Sequence, residues 1–314
     1  MLAPRWNGAR RPAVLGFMRA LVTDQTGVRL REVPDPVRDP DQVLVGVQHA
    51  SLNFGDVSAA RAPDAVDGHV PGWDASGVVV QAARDGSGPA VGDRVLTFGY
   101  DGAWAELRQV PTSELAVVPD GVDLAVAAAL PVAGVTALRA LQRSGSLLGK
   151  RVLVSGASGG VGRFAVQLAA RAGAQVVAQA QRGAGLAELG ADQVVVTLDQ
   201  LDPVDVVIDT VGGSLLVTAW QRLRTGGVIQ SIGWTSGESA TFPVYGTVGP
   251  AKSLTAFTAG NEFGPDLALL LGLVASGDLT VDVGWRGSWF RFDDAVDELL
   301  GRRVTGKAII DIER

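Results

Sequence analysis

A glycine-rich turn between a short apolar run and a helical pattern constrains the fold of this chain most strongly. Residues 151–155 read RVLVS, an apolar β-branched run of the kind that forms a buried parallel strand. A turn of glycines and small residues follows, comprising Gly156, Ser158, Gly159, Gly160, Val161 and Gly162. Apolar residues then recur at helical spacing up to Gly173, a typical C-terminal stop. The segment is therefore predicted to form a strand, a tight turn and a helix.

This order of elements is typical of a dinucleotide site. Glycines let the backbone approach a pyrophosphate group, which lies at the helix N-terminus, where unpaired N–H groups and the helix dipole favour anions. The glycine spacing is GxxGxxG and not the commoner GxGxxG. Ser155 and Ser158 flank the turn, and their hydroxyls would add hydrogen bonds to the phosphates. The turn predicts a nicotinamide or flavin nucleotide as ligand.

Charge around the second strand of this unit bears on which nucleotide binds. NAD enzymes carry an Asp or Glu about 20 residues after the glycine motif, where it binds the ribose 2′-hydroxyl and repels a 2′-phosphate. No acidic residue occurs from Leu124 through Ala187. The strand at residues 175–178 runs instead into Gln179 and Arg182, and a guanidinium suits a phosphate. NADPH is the predicted cofactor, although Arg182 is also explained as a solvated surface residue.

Element order along the chain predicts two kinds of domain. Residues 18–121 read as short strands, predicted at 19–23, 43–50, 76–81, 94–98 and 104–110 and separated by prolines, as in an all-β body. From Ala125 onward short apolar strands alternate with helical segments, which argues for a doubly wound parallel sheet and an α/β fold. The helices predicted between these strands span residues 164–172, 184–189 and 214–222. After residue 257 the patterns predict a helix at 265–275, a helix beginning at Phe292 and a final strand at 307–312.

Composition excludes several classes of partner and site. The chain has 314 residues, enough for two buried cores, and a formal charge of −6, which argues against nucleic acid and anionic membranes as partners. It has no cysteine, so disulfides and thiolate metal sites are excluded. The apolar run near the N-terminus is too short for a signal sequence, and no stretch is long enough to span a bilayer. A cytoplasmic enzyme is the expectation.

Phrases spread over residues 18–314 resemble one family in order and spacing. They include LNFGD at 52–56, PGWDASG at 71–77, VGDRV at 91–95, GAWAE at 102–106, LGAD at 189–192, DTVGG at 209–213 and TGK at 305–307. Together with the glycine turn, they resemble the medium-chain dehydrogenase/reductase superfamily, in its zinc-free quinone oxidoreductase-like branch. The resemblance implies a GroES-like β-barrel catalytic domain at 18–121 and 257–314, with a Rossmann domain at 122–256 inserted in it. It also implies a homodimer; residues 1–17 are predicted to be an N-terminal tail.

The sequence departs from the zinc-dependent members of this superfamily at their metal site. Those proteins have Gly-His-Glu where this chain has Gly72, Trp73 and Asp74, and they also use cysteine ligands. The only histidines here are His49 and His69, too few with no cysteine for a tetrahedral zinc site. We expect no metal. Without a Lewis acid, reduction of an activated double bond or a quinone is favoured over alcohol oxidation.

Three residues are candidates for catalysis. The resemblance implies that Asn53 lies beside the nicotinamide, where its amide can donate to a substrate oxygen; a helix cap for residues 55–60 is the alternative. Tyr100 lies in a loop that could border the cleft and is a candidate proton donor. Asp56 is an alternative proton source or a loop cap.

Further cofactor contacts follow from the resemblance and from the sheet topology. Thr136 matches the family position near the nicotinamide ribose, Phe257 a cofactor-covering segment, and Lys307 the C-terminal turn of the cleft. Gly212 and Gly233 follow later strands at the carboxyl edge, where the ligand crevice of such a sheet lies.

The sequence predicts an NADPH-dependent, zinc-independent oxidoreductase that transfers hydride to a quinone or an α,β-unsaturated carbonyl compound. Two alternatives remain open. One is a pathway-specific natural-product tailoring reductase, or a non-redox enzyme of the same fold. The other is an NADPH-binding structural or interaction protein with little turnover. The strands at 226–233 and 253–258 are expected to lie at one edge of the parallel sheet and to pair with a second subunit.

Overall fold

The computed structural model describes residues 16–313. Residues 1–15 of the predicted tail lie outside the described part of the chain, and Phe17 already belongs to the first strand. This strand, β1 (Phe17–Asp24), pairs antiparallel with β2 (Gly27–Pro34), which sequence analysis did not predict. The hairpin turns at Gly27, whose φ of 125° favours glycine.

A mixed seven-stranded sheet is built from both ends of the chain. Its strands are β3 (Gln42–Leu52), β4 (Asp74–Gln81), β5 (Arg94–Phe98), β7 (Leu115–Val117), β14 (Val283–Ser288) and β15 (Lys307–Asp311), with β6 (Leu107–Pro111) paired to β3. The order is β14-β15-β3-β4-β5-β7. β15 therefore joins the C-terminal segment to β3, and Trp104 and Trp289 fill the core beneath.

A second, six-stranded sheet is entirely parallel. It consists of β8 (Arg151–Val154), β9 (Gln175–Gln179), β10 (Gln193–Val195), β11 (Val204–Asp209), β12 (Leu223–Ser231) and β13 (Ser253–Ala256). The order β10-β9-β8-β11-β12-β13 corresponds to 3-2-1-4-5-6, the order of a dinucleotide-binding doubly wound fold. β8 lies at the centre, and its Val152, Leu153 and Val154 are fully buried, as expected for a strand covered on both faces. The predicted α/β fold is confirmed.

Seven α-helices connect and cover the sheets in the described residues. They are α1 (Phe54–Ala60), α2 (Leu124–Ala128), α3 (Pro131–Arg143), α4 (Gly160–Arg171), α5 (Gly213–Arg222), α6 (Gly264–Ala275) and α7 (Phe292–Leu300). α3 and α4 pack against each other through small side chains such as Ala137 and Ala165, both fully buried. One large core extends from α3 and α4 to the parallel sheet and to α6.

Two local predictions were wrong. The helix predicted at 184–189 is a series of turns, because Gly185 within it and Gly190 directly after it adopt φ values of 77° and 103° that interrupt a right-handed helix. The strand predicted at 104–110 begins only at Leu107, because Trp104 and Ala105 turn inward toward β1.

Within residues 16–313 no helix has the length and apolar character needed to cross a membrane.

Candidate active site

A cleft of about 950 Å³ lies between the two sheets and is lined from both. The carboxyl ends of the parallel strands form one wall, where ligands bind in open α/β sheets. The other wall comes from α1, β5 and the turn before β15. The two walls touch at the glycine turn, where the N–H of Gly306 donates to the carbonyl of Ser158 at 3.1 Å and Gly306 forms a β-bridge with Gly159.

The glycine turn faces the middle of this cleft. All six of its predicted residues line it: Gly156, Ser158, Gly159, Gly160, Val161 and Gly162. α4 begins at Gly160, so the positive end of its dipole points at the cleft. The geometry fits the pyrophosphate of a dinucleotide.

Ser155 and Gln179 support the turn with their side chains. Ser155 is fully buried and lies outside the cleft wall; its hydroxyl donates to Asp209 at 2.5 Å and accepts from the N–H of Thr210 at 3.1 Å. Gln179 lines the cleft, but its amide oxygen accepts from the N–H of Gly156 and its NH₂ donates to Val196. Burial raises the pKa of Asp209. Ser155 is thus placed beneath the phosphate turn, whereas sequence analysis placed it among the phosphate contacts.

Two arginines, from the loops that follow β9 and α7, meet at one end of the cleft. Arg182 follows β9, and its guanidinium donates to the carbonyl of Arg302, which follows α7. Arg302 donates in turn to the carbonyl of Thr235, and its backbone has a φ of 56°, unusual outside glycine. Both arginines line the cleft, and neither guanidinium is paired with a carboxylate among the described residues. Asp199 also lines this end, on the far side of β10.

The opposite end of the cleft has a buried cluster of polar groups around Asn53. The Asn53 NH₂ donates to Asp74 at 3.0 Å and to Asp56 at 3.2 Å, and its amide oxygen accepts from the Lys307 ammonium at 2.5 Å. Lys307 also donates to Asp74 and to the carbonyl of Leu52, both at 3.3 Å. Asn53 therefore orients the three charged groups, and both of its amide hydrogens are used within the cluster.

The cluster contains one more carboxyl group than it has ammonium groups. Asp56, Asp74 and Lys307 are at most 4% exposed. Burial, together with the nearby charge of Asp74, raises the pKa of Asp56 to about 7, although hydrogen bonds from Asn53 and the charge of Lys307 act in the other direction. Asp56 lies behind Asn53, outside the main cleft, and its carboxyl also accepts from the N–H of Asn53, as in a helix cap.

Lys307 reaches the cluster across the glycine turn. A Cβ at Gly160 would lie 2.8 Å from the Cδ of Lys307, so the lysine chain passes directly over this glycine. The structure thus brings Lys307, Asn53 and the phosphate turn together in one cleft. A cation at this position can stabilise negative charge that develops on a bound substrate.

Aromatic side chains surround the same end of the cleft. Phe98, Tyr100, Trp73 and Phe257 line it, and the Tyr100 hydroxyl donates to the carbonyl of Gly260 at 3.0 Å. Partial burial raises the pKa of Tyr100. The predicted contacts Thr136, Gly212 and Gly233 also line the cleft. The walls can therefore enclose a planar apolar group.

The residues at this end do not fit a zinc ion. Asp74 is paired with Lys307 and also accepts from the N–H of Val132 at 3.0 Å. His49 is paired with Asp311, and no three His, Cys, Asp or Glu side chains within residues 16–313 converge on a metal position. We derive no catalytic step from zinc.

Sequence analysis missed Asp74 and Arg302 as site residues. Asp74 lies in the Gly72-Trp73-Asp74 segment, which corresponds to the Gly-His-Glu motif of the zinc-dependent members. This position was the sequence signal that could have identified it as a site residue. Arg302 lies in an exposed turn between α7 and β15, and nothing in its sequence neighbourhood separates it from other surface arginines.

Comparisons with known proteins agree with this geometry. Residues 39–120 match the family model for the alcohol dehydrogenase GroES-like domain, and residues 160–275 match that for zinc-binding dehydrogenases. Prostaglandin reductase-3 of Bos taurus is 31% identical over 90% of this chain and 84% of its own.

Two solved structures have the same fold. The quinone oxidoreductase from Coxiella burnetii superposes with a TM-score of 0.85 and 25% identity, over 95% of this chain and 100% of its own. A mycobacterial protein complexed with NADPH gives a TM-score of 0.84 and 25% identity, over 94% and 100%. The chain thus has a GroES-like domain and a Rossmann domain, and it belongs to the quinone oxidoreductase-like branch of the medium-chain dehydrogenase/reductase superfamily as an oxidoreductase of the quinone and enoyl reductase type.

Proposed function

We propose that the protein is an NADPH-dependent, zinc-independent reductase that transfers hydride to a quinone or an α,β-unsaturated carbonyl compound. The observation that carries this proposal is a cleft that has a phosphate turn in its middle, two arginines at one end and a buried lysine at the other.

The arginine pair supports NADPH as the cofactor. A 2′-phosphate beside Arg182 and Arg302 would receive charge-assisted hydrogen bonds from both sheets. The guanidiniums donate only to backbone carbonyls, so they can turn toward an anion without breaking an ion pair. The mycobacterial relative complexed with NADPH supports the same choice.

The opposite end of the cleft supports the acceptor class. NADPH, when bound, supplies a hydride to the acceptor. The Lys307 ammonium, held by Asn53 and Asp74, provides positive charge toward an acceptor oxygen that becomes negative. Trp73 and Phe257 exclude water from a planar ring or enone.

Steady-state oxidation of NADPH and NADH with a panel of quinones and enones, in the presence of a strong chelator, tests the proposal. We expect turnover with NADPH that survives the chelator. Arg182→Ala and Arg302→Ala should each weaken NADPH binding by about 1–3 kcal/mol, because each removes a charge-assisted hydrogen bond to the 2′-phosphate. NADH binding should change little.

Arg171→Ala is a matched control. Arg171 is an exposed arginine at the far end of α4, paired with Asp278, and it does not line the cleft. Equal losses for both nucleotides in the cleft variants would assign the two arginines a structural role. Preference for NADH, dependence on added zinc, or no turnover with any quinone or enone would overturn the proposed function.

A further inference from the structure

A second cavity of about 360 Å³ adjoins the active-site cleft. Its wall is formed by α1 and by the loop between α1 and β4. The lining residues are Thr23, Asp56, Ala59, Ala60, Ala62, Asp64, Ala65, Val66, His69, Pro71, Trp73 and Tyr100. Trp73 and Tyr100 line both cavities.

The partition between the two cavities is a pair of aromatic rings. Trp73 and Tyr100 meet edge to face, with ring centroids 5.9 Å apart and planes at 79°. Trp73 lies against Gly55, where a Cβ would lie 2.6 Å from the indole ring. Tyr100 is 54% exposed, on a loop. Because the partition consists of side chains, a flexible chain can pass from one cavity into the other beside them.

Small apolar residues give the second cavity its volume. The side chains of four alanines, Val66 and Pro71 line most of it. The polar lining residues include Thr23, whose hydroxyl donates to the carbonyl of Val66, and Asp56, whose buried carboxyl accepts from Asn53; Asp64 and His69 are exposed. A buried carboxyl and an apolar wall disfavour an anionic ligand and favour an uncharged hydrocarbon chain.

We infer that the second cavity receives the alkyl or acyl tail of an acceptor whose reactive double bond lies in the main cleft. The inference rests on the proposed function and narrows it: acceptors with an unbranched tail are better substrates than compact ones. Asp56 lines the tail site while its carboxyl remains hydrogen-bonded to Asn53.

A homologous series of straight-chain α,β-unsaturated methyl ketones tests this inference. Each buried methylene should raise kcat/KM about fourfold until the tail fills the cavity, after which the value should level off. The corresponding saturated methyl ketones should bind with the same dependence on chain length in calorimetric titrations, a measurement that needs no turnover.

Three variants test whether the dependence on chain length arises in the second cavity. Ala59→Phe and Ala62→Phe place a ring in the second cavity and should flatten the chain-length dependence while short ketones react as before. Ser58→Phe is the matched control, because Ser58 is an exposed neighbour on α1 that does not line the cavity.

The possible results separate the two proposals. A flat chain-length dependence in the wild type, or the same slope in the two cavity variants as in the control, would overturn the tail site and leave the reductase assignment intact. Failure to reduce any enone or quinone would overturn the reductase assignment. The dependence of calorimetric binding affinity on chain length would then test the tail site by itself.

Discussion

At the scale of single residues, Asp56 makes the stability of the fold depend on pH. Its folded pKa of about 7 lies above the ordinary value of 3.8, so between these values the folded state holds a proton that the unfolded state releases. The contribution of neutral Asp56 is complete below about pH 4 and is lost as the pH rises through 7.

Asp56→Asn should remove this dependence, because an amide keeps the cap at Asn53 and does not ionise. Relative to this variant, the wild type should lose on the order of 4 kcal/mol of unfolding free energy between about pH 4 and about pH 8. Urea unfolding of both proteins across this range measures the difference. A constant difference at all pH values would show that Asp56 has the same pKa in the folded and unfolded states, and would contradict the expected shift.

Most of the residues that sequence analysis singled out line the cleft, but the sequence did not show how their polar atoms are used. The glycine turn was predictable because strand, turn and helix are local and each has its own spacing. Asn53 was a candidate for both substrate binding and helix capping, and the structure shows its amide occupied by Asp56, Asp74 and Lys307. Asp74 and Lys307 come from strands 21 and 254 residues away, a relation that spacing does not encode.

At the scale of elements, β13 is an outer strand of the parallel sheet and has no partner on its far side within residues 16–313. Its four residues are exposed, and Leu254 is 44% exposed. Val244, Tyr245 and Val248, just before it, are also exposed. An open apolar edge invites pairing with another chain, and two copies related by a two-fold axis satisfy each other. We expect a homodimer joined along β13.

Light scattering at micromolar concentration tests this expectation. Leu254→Lys should shift the protein toward monomer, because the two-fold axis brings the new charges close together. Leu269→Lys, on the exposed face of α6, serves as the control and should leave the mass unchanged. A monomeric wild type would contradict the expected dimer.

The errors that sequence analysis made in elements have different physical causes. The segment at 184–189 has an apolar pattern that suits a helix, yet Gly185 within it and Gly190 directly after it have positive φ and interrupt it. β2 has only one fully buried residue, Val28, so it lacks the alternation by which a strand is recognised. The central strands β8, β9 and β11 of the parallel sheet were found because burial on both faces leaves them almost wholly apolar.

At the scale of the whole molecule, the domain plan followed from the order of phrases along the chain, since each phrase marks one element. The pairing of β15 with β3 did not follow from the residues themselves, because it joins segments more than 250 residues apart. The meeting of Arg182 with Arg302 depends on that pairing, since β15 brings the preceding turn to the cleft.

The place of β15 between β14 and β3 also governs the order in which a newly made chain can fold. The ribosome makes β3 to β7 before the parallel sheet, yet β15, which carries the buried Ile309 and Ile310 and pairs with β3, is made only after that sheet. The strands of the parallel sheet are consecutive in the sequence, so this sheet can form while the first sheet still lacks β15 beside β3. A stop codon shortly before β15 would therefore leave β3 without one of its partners in the sheet that was begun first, and nascent chains would need protection at that edge until β15 emerges.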